Sequence, residues 1–159
     1  MNFSTADLYD AHEHETQVAL PGFRNYGKRH KFHGAITTLK VHDDNSLVRS
    51  ALEKQGGGHV LVVDGGGSMR SALVGDKLAR LGRDNGWAGA IIYGCIRDSE
   101  VICDMEFGLQ ALGTTPRRSV KGGAGQRDIP VTFHGVTFHP GAFVYADMDG
   151  IVVSATNWL

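Results

Sequence analysis

Two runs of apolar residues, 60–63 (Val-Leu-Val-Val) and 90–93 (Ala-Ile-Ile-Tyr), are continuous rather than alternating. That pattern suits strands covered on both faces. Between them Leu78, Ala79 and Leu81 fall on one side of a helix that starts near Gly75 or Asp76 and is stopped by Asn85-Gly86. Strand, helix and strand make a βαβ unit, with the loops leaving both strands at one rim. Sites in open α/β sheets gather at that rim. Upstream, residues 32–41 are rich in Ile, Thr and Val and predict a strand. Leu47, Val48, Ala51 and Leu52 predict a helix running to residue 55, capped by Asn45 or Ser46 and closed by Gly56-Gly57-Gly58. Residues 4–15 predict a short helix with Ser4 or Thr5 as its cap and Asp7 in its first turn. His12 and His14, two apart, fall on different faces of it and are expected to be solvated. Pro21-Gly22 and Gly27 make 18–29 a loop, while 69–74 is short and mixed.

Downstream, residues 87–93 form the second strand of the unit and lead through Gly94-Cys95-Ile96 to Arg97-Asp98. A helical turn is expected within 99–105 and a strand over 107–114. Residues 115–128 are polar, with Arg117, Arg118, Lys121 and Arg127 interspersed, and read as a solvated loop. Four short strands, 129–133, 136–138, 143–145 and 151–154, follow, with turns at His134-Gly135, Pro140-Gly141 and Asp149-Gly150. The order predicts an α/β fold in a single domain over 1–159, with layered helices and sheets, a central βαβ unit and a β-rich last third.

Composition narrows the function. The 159 residues carry 16 Lys and Arg against 17 Asp and Glu, a net charge of −1, without a basic block. A nucleic-acid partner held by a basic face is therefore not expected. The chain opens on polar sequence and has no run of about 18 apolar residues, so neither a leader nor a membrane span is expected. Cys95 and Cys103 form no CxxC pair and read as reduced thiols of a cytoplasmic protein. The 22 glycines cluster between well-patterned segments, which points to tight turns and close backbone approaches.

Chemistry concentrates at the two loops of the βαβ unit. Asp64-Gly65-Gly66-Gly67-Ser68 has neither the GxxxxGK[ST] nor the GxGxxG spacing, which weakens a nucleotide reading. Gly75-Asp76-Lys77-Leu78 lies where a helix begins, a place suited to a small carboxylate. Asp76 also reads as a plain helix cap. Arg97 offers a planar fork for a carboxylate, and Asp98 an oxygen ligand for a hard divalent cation. An internal Arg97–Asp98 ion pair is the competing structural reading.

The whole of residues 60–98 resembles the RraA-like family, which includes the regulator of ribonuclease activity A and the class II 4-hydroxy-4-methyl-2-oxoglutarate aldolases. The resemblance extends to ADLYDAHE, HDDNSLVRSALE and GVTFHPGAFVYADMDGIVVS, nearly the full chain. The family signature, an Asp, twenty residues and Arg-Asp, is met by Asp76, residues 77–96 and Arg97-Asp98. Ala142 departs from it, standing where an Asp usually follows the Pro-Gly turn.

The resemblance implies a layered β/β/α, swivelling-domain-like fold. It implies a pyruvyl group held by the backbone of Gly75, Asp76, Lys77 and Leu78 and by Arg97. Asp98 would bind Mg²⁺ or Mn²⁺, and Asp76 would hold a water on that metal. It further implies a lyase that releases pyruvate from 4-hydroxy-2-oxo acids and decarboxylates oxaloacetate through the same enolate. A ring-shaped homotrimer or a dimer of trimers is implied as well. Lys77 is not needed as a Schiff base. The alternative function is a non-catalytic regulator that binds and inhibits a ribonuclease. A third, methyl transfer from S-adenosylmethionine, fits poorly with a short chain that ends in β-structure. Arg70, Arg117 and Lys121 are candidates for reading the far end of the substrate.

Overall fold

The computed structural model describes residues 2–159. Its first helix, α1 (Thr5–Ala11), is capped as the sequence predicts: the Ser4 hydroxyl accepts the Asp7 N–H at 3.0 Å. A 3₁₀ turn at Glu13–Glu15 follows. The segment read as a loop over 18–29 instead holds two strands of two residues each, β1 (Gln17–Val18) and β2 (Arg24–Asn25). Each is recruited by a sheet edge far away in sequence, which local pattern cannot register.

The frame comes next: β3 (Phe32–Lys40), α2 (Ser46–Leu52), β4 (Val60–Asp64), β5 (Ala72–Val74), α3 (Asp76–Asp84), β6 (Gly89–Ile96), α4 (Ser99–Ile102) and β7 (Gly108–Thr114). Strands β3, β4, β6 and β7 run parallel and adjacent in that order. The last third adds β8 (Gln126–Arg127), the hairpin β9 (Val131–Phe133) and β10 (Val136–Phe138), and the antiparallel pair β11 (Phe143–Ala146) and β12 (Ile151–Ser154). Strand β3 serves two sheets. Its residues 32–35 pair with β11, and 36–40 pair with β4.

The continuous apolar runs are explained by layers. Along β4, Leu61 and Val63 face the helices, packing with Val48 and Leu52 of α2 and Leu78 and Ala79 of α3. Val60 and Val62 face the other way, into a core with Phe133, Phe138, Val144 and Val153. Helices, parallel sheet and C-terminal β-structure are therefore stacked as three layers, the mixed α/β fold that the sequence predicts. Phe32, fully buried, lies over Gly89 and Gly108, which sit opposite each other on β6 and β7. A methyl on either glycine would run into the Phe32 ring.

The two ends of the chain are tied together. β1 pairs with β12, and Asp147 accepts the Thr5 N–H and hydroxyl, both at 2.7 Å. His12 stacks on Trp158 with ring centroids 4.1 Å apart, and so is not simply solvated. Among the described residues no helix is long and apolar enough to cross a membrane.

Candidate active site

The site is placed by a detour. The chain leaves β4 at Asp64, loops out, and re-enters as β5 beside the far end of β6, where β4 has already stopped. Residues 69–74 give no sequence signal for this, because β5 is only three residues long and exists through its partner. The Arg97 N–H donates to the Val74 carbonyl at 2.9 Å. The first turn of α3 is thereby fixed against the end of β6.

Asp98 sits at the join in the left-handed conformation (φ 59°, ψ 35°), which Asp tolerates better than most residues. Its carbonyl starts α4 by accepting the Val101 and Ile102 N–H groups at 3.1 and 3.0 Å. Its side-chain Oδ2 accepts the Asp76 N–H at 3.0 Å. So α3 is capped by a carboxylate from the next strand, not by a side chain of its own, and its N-cap residue is Gly75. A Cβ on Gly75 would stand 2.8 Å from Asp98 Oδ2, so the glycine is what admits the carboxylate.

Asp76 is more than a local cap. Arg80 donates to its Oδ2 at 2.7 Å, one turn along the helix. That bond outweighs partial burial and holds the Asp76 carboxyl below its ordinary value, as an anion. Arg97 makes no ion pair with Asp98, so that competing reading does not hold. Its guanidinium reaches only the Pro116 carbonyl, at a long 3.4 Å.

The segment read as a solvated loop over 115–128 is tied down and forms one wall. Ala72 N–H donates to the Arg117 carbonyl at 2.8 Å, and Val120 N–H to the Asp43 carbonyl at 2.9 Å. Buried Asp44 accepts the Gly122 and Ala124 N–H groups at 2.9 and 3.2 Å, and also caps α2 through the Ser46 N–H at 2.9 Å. Burial pushes the Asp44 carboxyl up, but the Ser46, Ala124 and Gly122 donors more than reverse this. β8 then joins β3.

The result is a cleft of about 200 Å³. All six residues singled out from the sequence, Gly75, Asp76, Lys77, Leu78, Arg97 and Asp98, line it. Of the candidates for the far end, Lys121 lines the cleft, whereas Arg70 and Arg117 are not among its walls. Arg118 and Ser119, which do line it, were not singled out. The alternation of the segment around the Ala72–Arg118 bridge decides which arginine faces inward, and that bridge has no local sequence signal.

The cleft's acidic residues are Asp76 and Asp98. No group of three or more His, Cys, Asp or Glu side chains converges to hold a metal among the described residues. This donor set does not suit the closed cage that structural zinc prefers. It does suit a hard cation held by one or two carboxylates while keeping several waters, as Mg²⁺ does. The glycine-rich loop after β4 is not part of the cleft. It turns back on itself, with the Gly66 N–H on Asp64 Oδ1 at 2.8 Å and the Gly65 and Gly67 N–H groups on the Tyr93 carbonyl.

Comparison with known proteins agrees on family and fold but not on activity. The family model described as RraA-like (Aldolase/RraA) matches residues 5–153. A protein of Aromatoleum aromaticum, provisionally named 4-hydroxy-4-methyl-2-oxoglutarate aldolase, is 63% identical over 159 residues and all of both chains. One of the same provisional name from Alkalilimnicola ehrlichii is 53% identical, over 99% of this chain and 98% of its own. Among solved structures, a protein of Geobacillus kaustophilus described as S-adenosylmethionine:2-dimethylmenaquinone methyltransferase superposes with a TM-score of 0.96. It is 50% identical, over 98% of this chain and 97% of that one. The RNA-processing inhibitor RraA from Thermus gives 0.94 at 42% identity, over 98% and 94%.

Proposed function

The chain belongs to the RraA-like family, and from that premise we propose that it is a divalent-metal-dependent lyase. It cleaves 4-hydroxy-4-methyl-2-oxoglutarate and related 4-hydroxy-2-oxo acids to pyruvate, and decarboxylates oxaloacetate as a side activity. The observation that carries this reading is the meeting of Asp76, Arg97 and Asp98 at one cleft beside the start of α3. The aldolase names of relatives at 53% and 63% identity support it.

Asp98 would hold the cation, Mg²⁺ or Mn²⁺. When bound, it would supply Lewis acidity toward the 2-oxo acid. The first turn of α3, from Gly75 to Leu78, receives the substrate carboxylate through its backbone N–H groups and the helix dipole. Arg97, which makes no ion pair among the described residues, lies against the 2-oxo end and stabilises the charge that develops there. The C4 hydroxyl proton is removed, the C3–C4 bond breaks, and its electron pair becomes the pyruvate enolate. Asp76, held ionised by Arg80, would orient a water that takes that proton. Protonation of the enolate carbon releases pyruvate. With oxaloacetate the same bond breaks and carbon dioxide leaves.

Pyruvate release from 4-hydroxy-4-methyl-2-oxoglutarate and from oxaloacetate, with Mg²⁺ and with a chelator, is the test. Asp98→Ala is expected to lower the rate by about 100-fold or more. Equal rates for this variant and the wild type would defeat the proposal.

A second reading is that the chain binds and inhibits a ribonuclease, and its support is the likeness to the Thermus RNA-processing inhibitor RraA. It predicts a stable complex with a ribonuclease that survives Asp98→Ala. Methyl transfer has only the name of the Geobacillus structure behind it. The glycine-rich loop that would resemble its cofactor site is folded against Tyr93.

A further inference from the structure

The turn between β3 and α2 holds both sides of the cleft. On one side is β5, which ends one residue before Gly75; on the other is the segment around Ser119. Asp43 takes hold of each. Its Oδ1 accepts the Ser68 hydroxyl at 2.7 Å and the Ser71 hydroxyl at 2.8 Å, and Ser71 is buried directly before β5. Its carbonyl accepts the Val120 N–H at 2.9 Å. Asn45 repeats the pattern two residues on. Its N–H donates to the Val120 carbonyl at 3.2 Å, and its side-chain amide reaches the Leu73 carbonyl at 3.4 Å. Both backbone polar groups of Val120 are thus spent on residues 43 and 45.

Backbone preference does not account for an aspartate at position 43. Its φ is 49°, in the left-handed region, where a glycine would sit at less cost. Strained residues of this kind collect at functional sites, held there by the surrounding structure. The Ser68 and Ser71 hydroxyls hold the Asp43 carboxyl below its ordinary value, so both bonds run to an anion and gain strength from its charge. Asp43 does not itself line the cleft. Any influence it has on the chemistry there passes through Ser71 and β5 to the start of α3, and through Val120 to the facing wall.

We propose that Asp43 is a positioning residue for the reaction at the cleft: by fastening Ser71 and Val120 to one turn, it sets the spacing between the start of α3 and the opposite wall. The proposal rests on the lyase reading for its reaction, but a binding measurement that needs no turnover also reports on the spacing. A displacement of about 1 Å in a site can cost about 100-fold in rate, and losing two side-chain bonds while the backbone bond to Val120 remains should cost less than that.

Two substitutions separate the possible roles. Asp43→Gly removes the accepting oxygen and relieves the backbone, whereas Asp43→Asn keeps an oxygen for the serine hydroxyls and tolerates the left-handed turn. Both are compared with wild type at a temperature where circular dichroism shows all three folded. Oxaloacetate decarboxylation with Mg²⁺ gives kcat and KM. Calorimetry with Mg²⁺ gives the affinity for oxalate, which is planar like the pyruvate enolate, and for pyruvate. Asp43→Gly should lose roughly tenfold in kcat and a similar factor in oxalate affinity, with KM and pyruvate affinity within about twofold of wild type. Asp43→Asn should stay within about threefold of wild type throughout. If Asp43→Gly does not fold, Ser71→Ala, which removes one of the two bonds, takes its place with an expected loss of about threefold. A residue that only stabilised the fold would lower the melting temperature of Asp43→Gly and leave kcat and oxalate affinity unchanged, and that result would overturn the proposal. Equal losses in the Gly and Asn variants would overturn it as well, since the charge and not the hydroxyl bonds would then be responsible. So would a wild type that fails to bind oxalate. If wild type binds oxalate without turning over any substrate, and Asp43→Gly weakens that binding while Asp43→Asn preserves it, the lyase reading fails and the positioning role stands.

Discussion

Asp98 does two things with one side chain: it caps α3 through the Asp76 N–H and presents its remaining carboxylate oxygen to the cleft. Asp98→Asn separates them. The amide oxygen can still accept the Asp76 N–H, and Asn tolerates the left-handed backbone. The variant is expected to unfold within about 1 kcal/mol of wild type yet release pyruvate about 100-fold more slowly, as read by denaturant titration beside the coupled assay. Gly75→Ala makes the converse point. The extended backbone there suits alanine, so the chain should fold, but the new methyl displaces the Asp98 carboxylate. We expect a loss on the order of tenfold in kcat/KM with little change in melting temperature. An unchanged kcat/KM would show that the Asp76–Asp98 contact does not set the site. At this scale the sequence was informative where the chemistry lies within a spaced motif. It misled where a role depends on a distant partner: Asp76 reads as a cap, and only the fold shows that Asp98 does the capping.

The segment from Thr115 to Arg127 behaves as an element although little of it is strand. Its bonds run to Asp43, Asp44 and Ala72, about 45 to 80 positions away, which is why its polar composition reads as a loop. Asp44 fastens it. Asp44→Asn keeps one acceptor and loses the other, and should cost about 1–2 kcal/mol of stability at neutral pH. Because the folded carboxyl lies below its ordinary value of 3.8, its contribution is complete above that value. It disappears as the pH falls through the lower folded value. The stability gap between variant and wild type should therefore be constant from pH 7 to about 5 and close in stronger acid, by denaturant titration at each pH. A gap that widened in acid would mean that the carboxylate is not what the segment hangs on. The strands and helices of the frame were far more legible, because a strand with two covered faces and a helix with one carry their periodicity in their own residues.

Across the whole molecule, the seating of Phe32 on Gly89 and Gly108 sets how closely the C-terminal layer meets the parallel sheet. Gly108→Ala is expected to destabilise by about 1–3 kcal/mol, measured as a shifted urea midpoint. The ring-shaped trimer implied by the family resemblance remains a proposal at this scale, and light scattering at the monomer mass of 17.1 kDa would reject it. The layered architecture was readable from residue order, but the pairing of the first strand with the last was not, since nothing in either dipeptide announces the other. That pairing has a consequence for biosynthesis. On a ribosome, residues 60–98 emerge and can form their strands and helix early, while β1 and the N-terminal half of β3 wait for β11 and β12. The frame that carries the candidate site is thus made before the layer that shields its apolar face, which includes Val60, Val62 and Ile91. Until β11 and β12 have emerged and paired, a nascent chain that already holds the residues of the candidate site presents that face to chaperones and proteases.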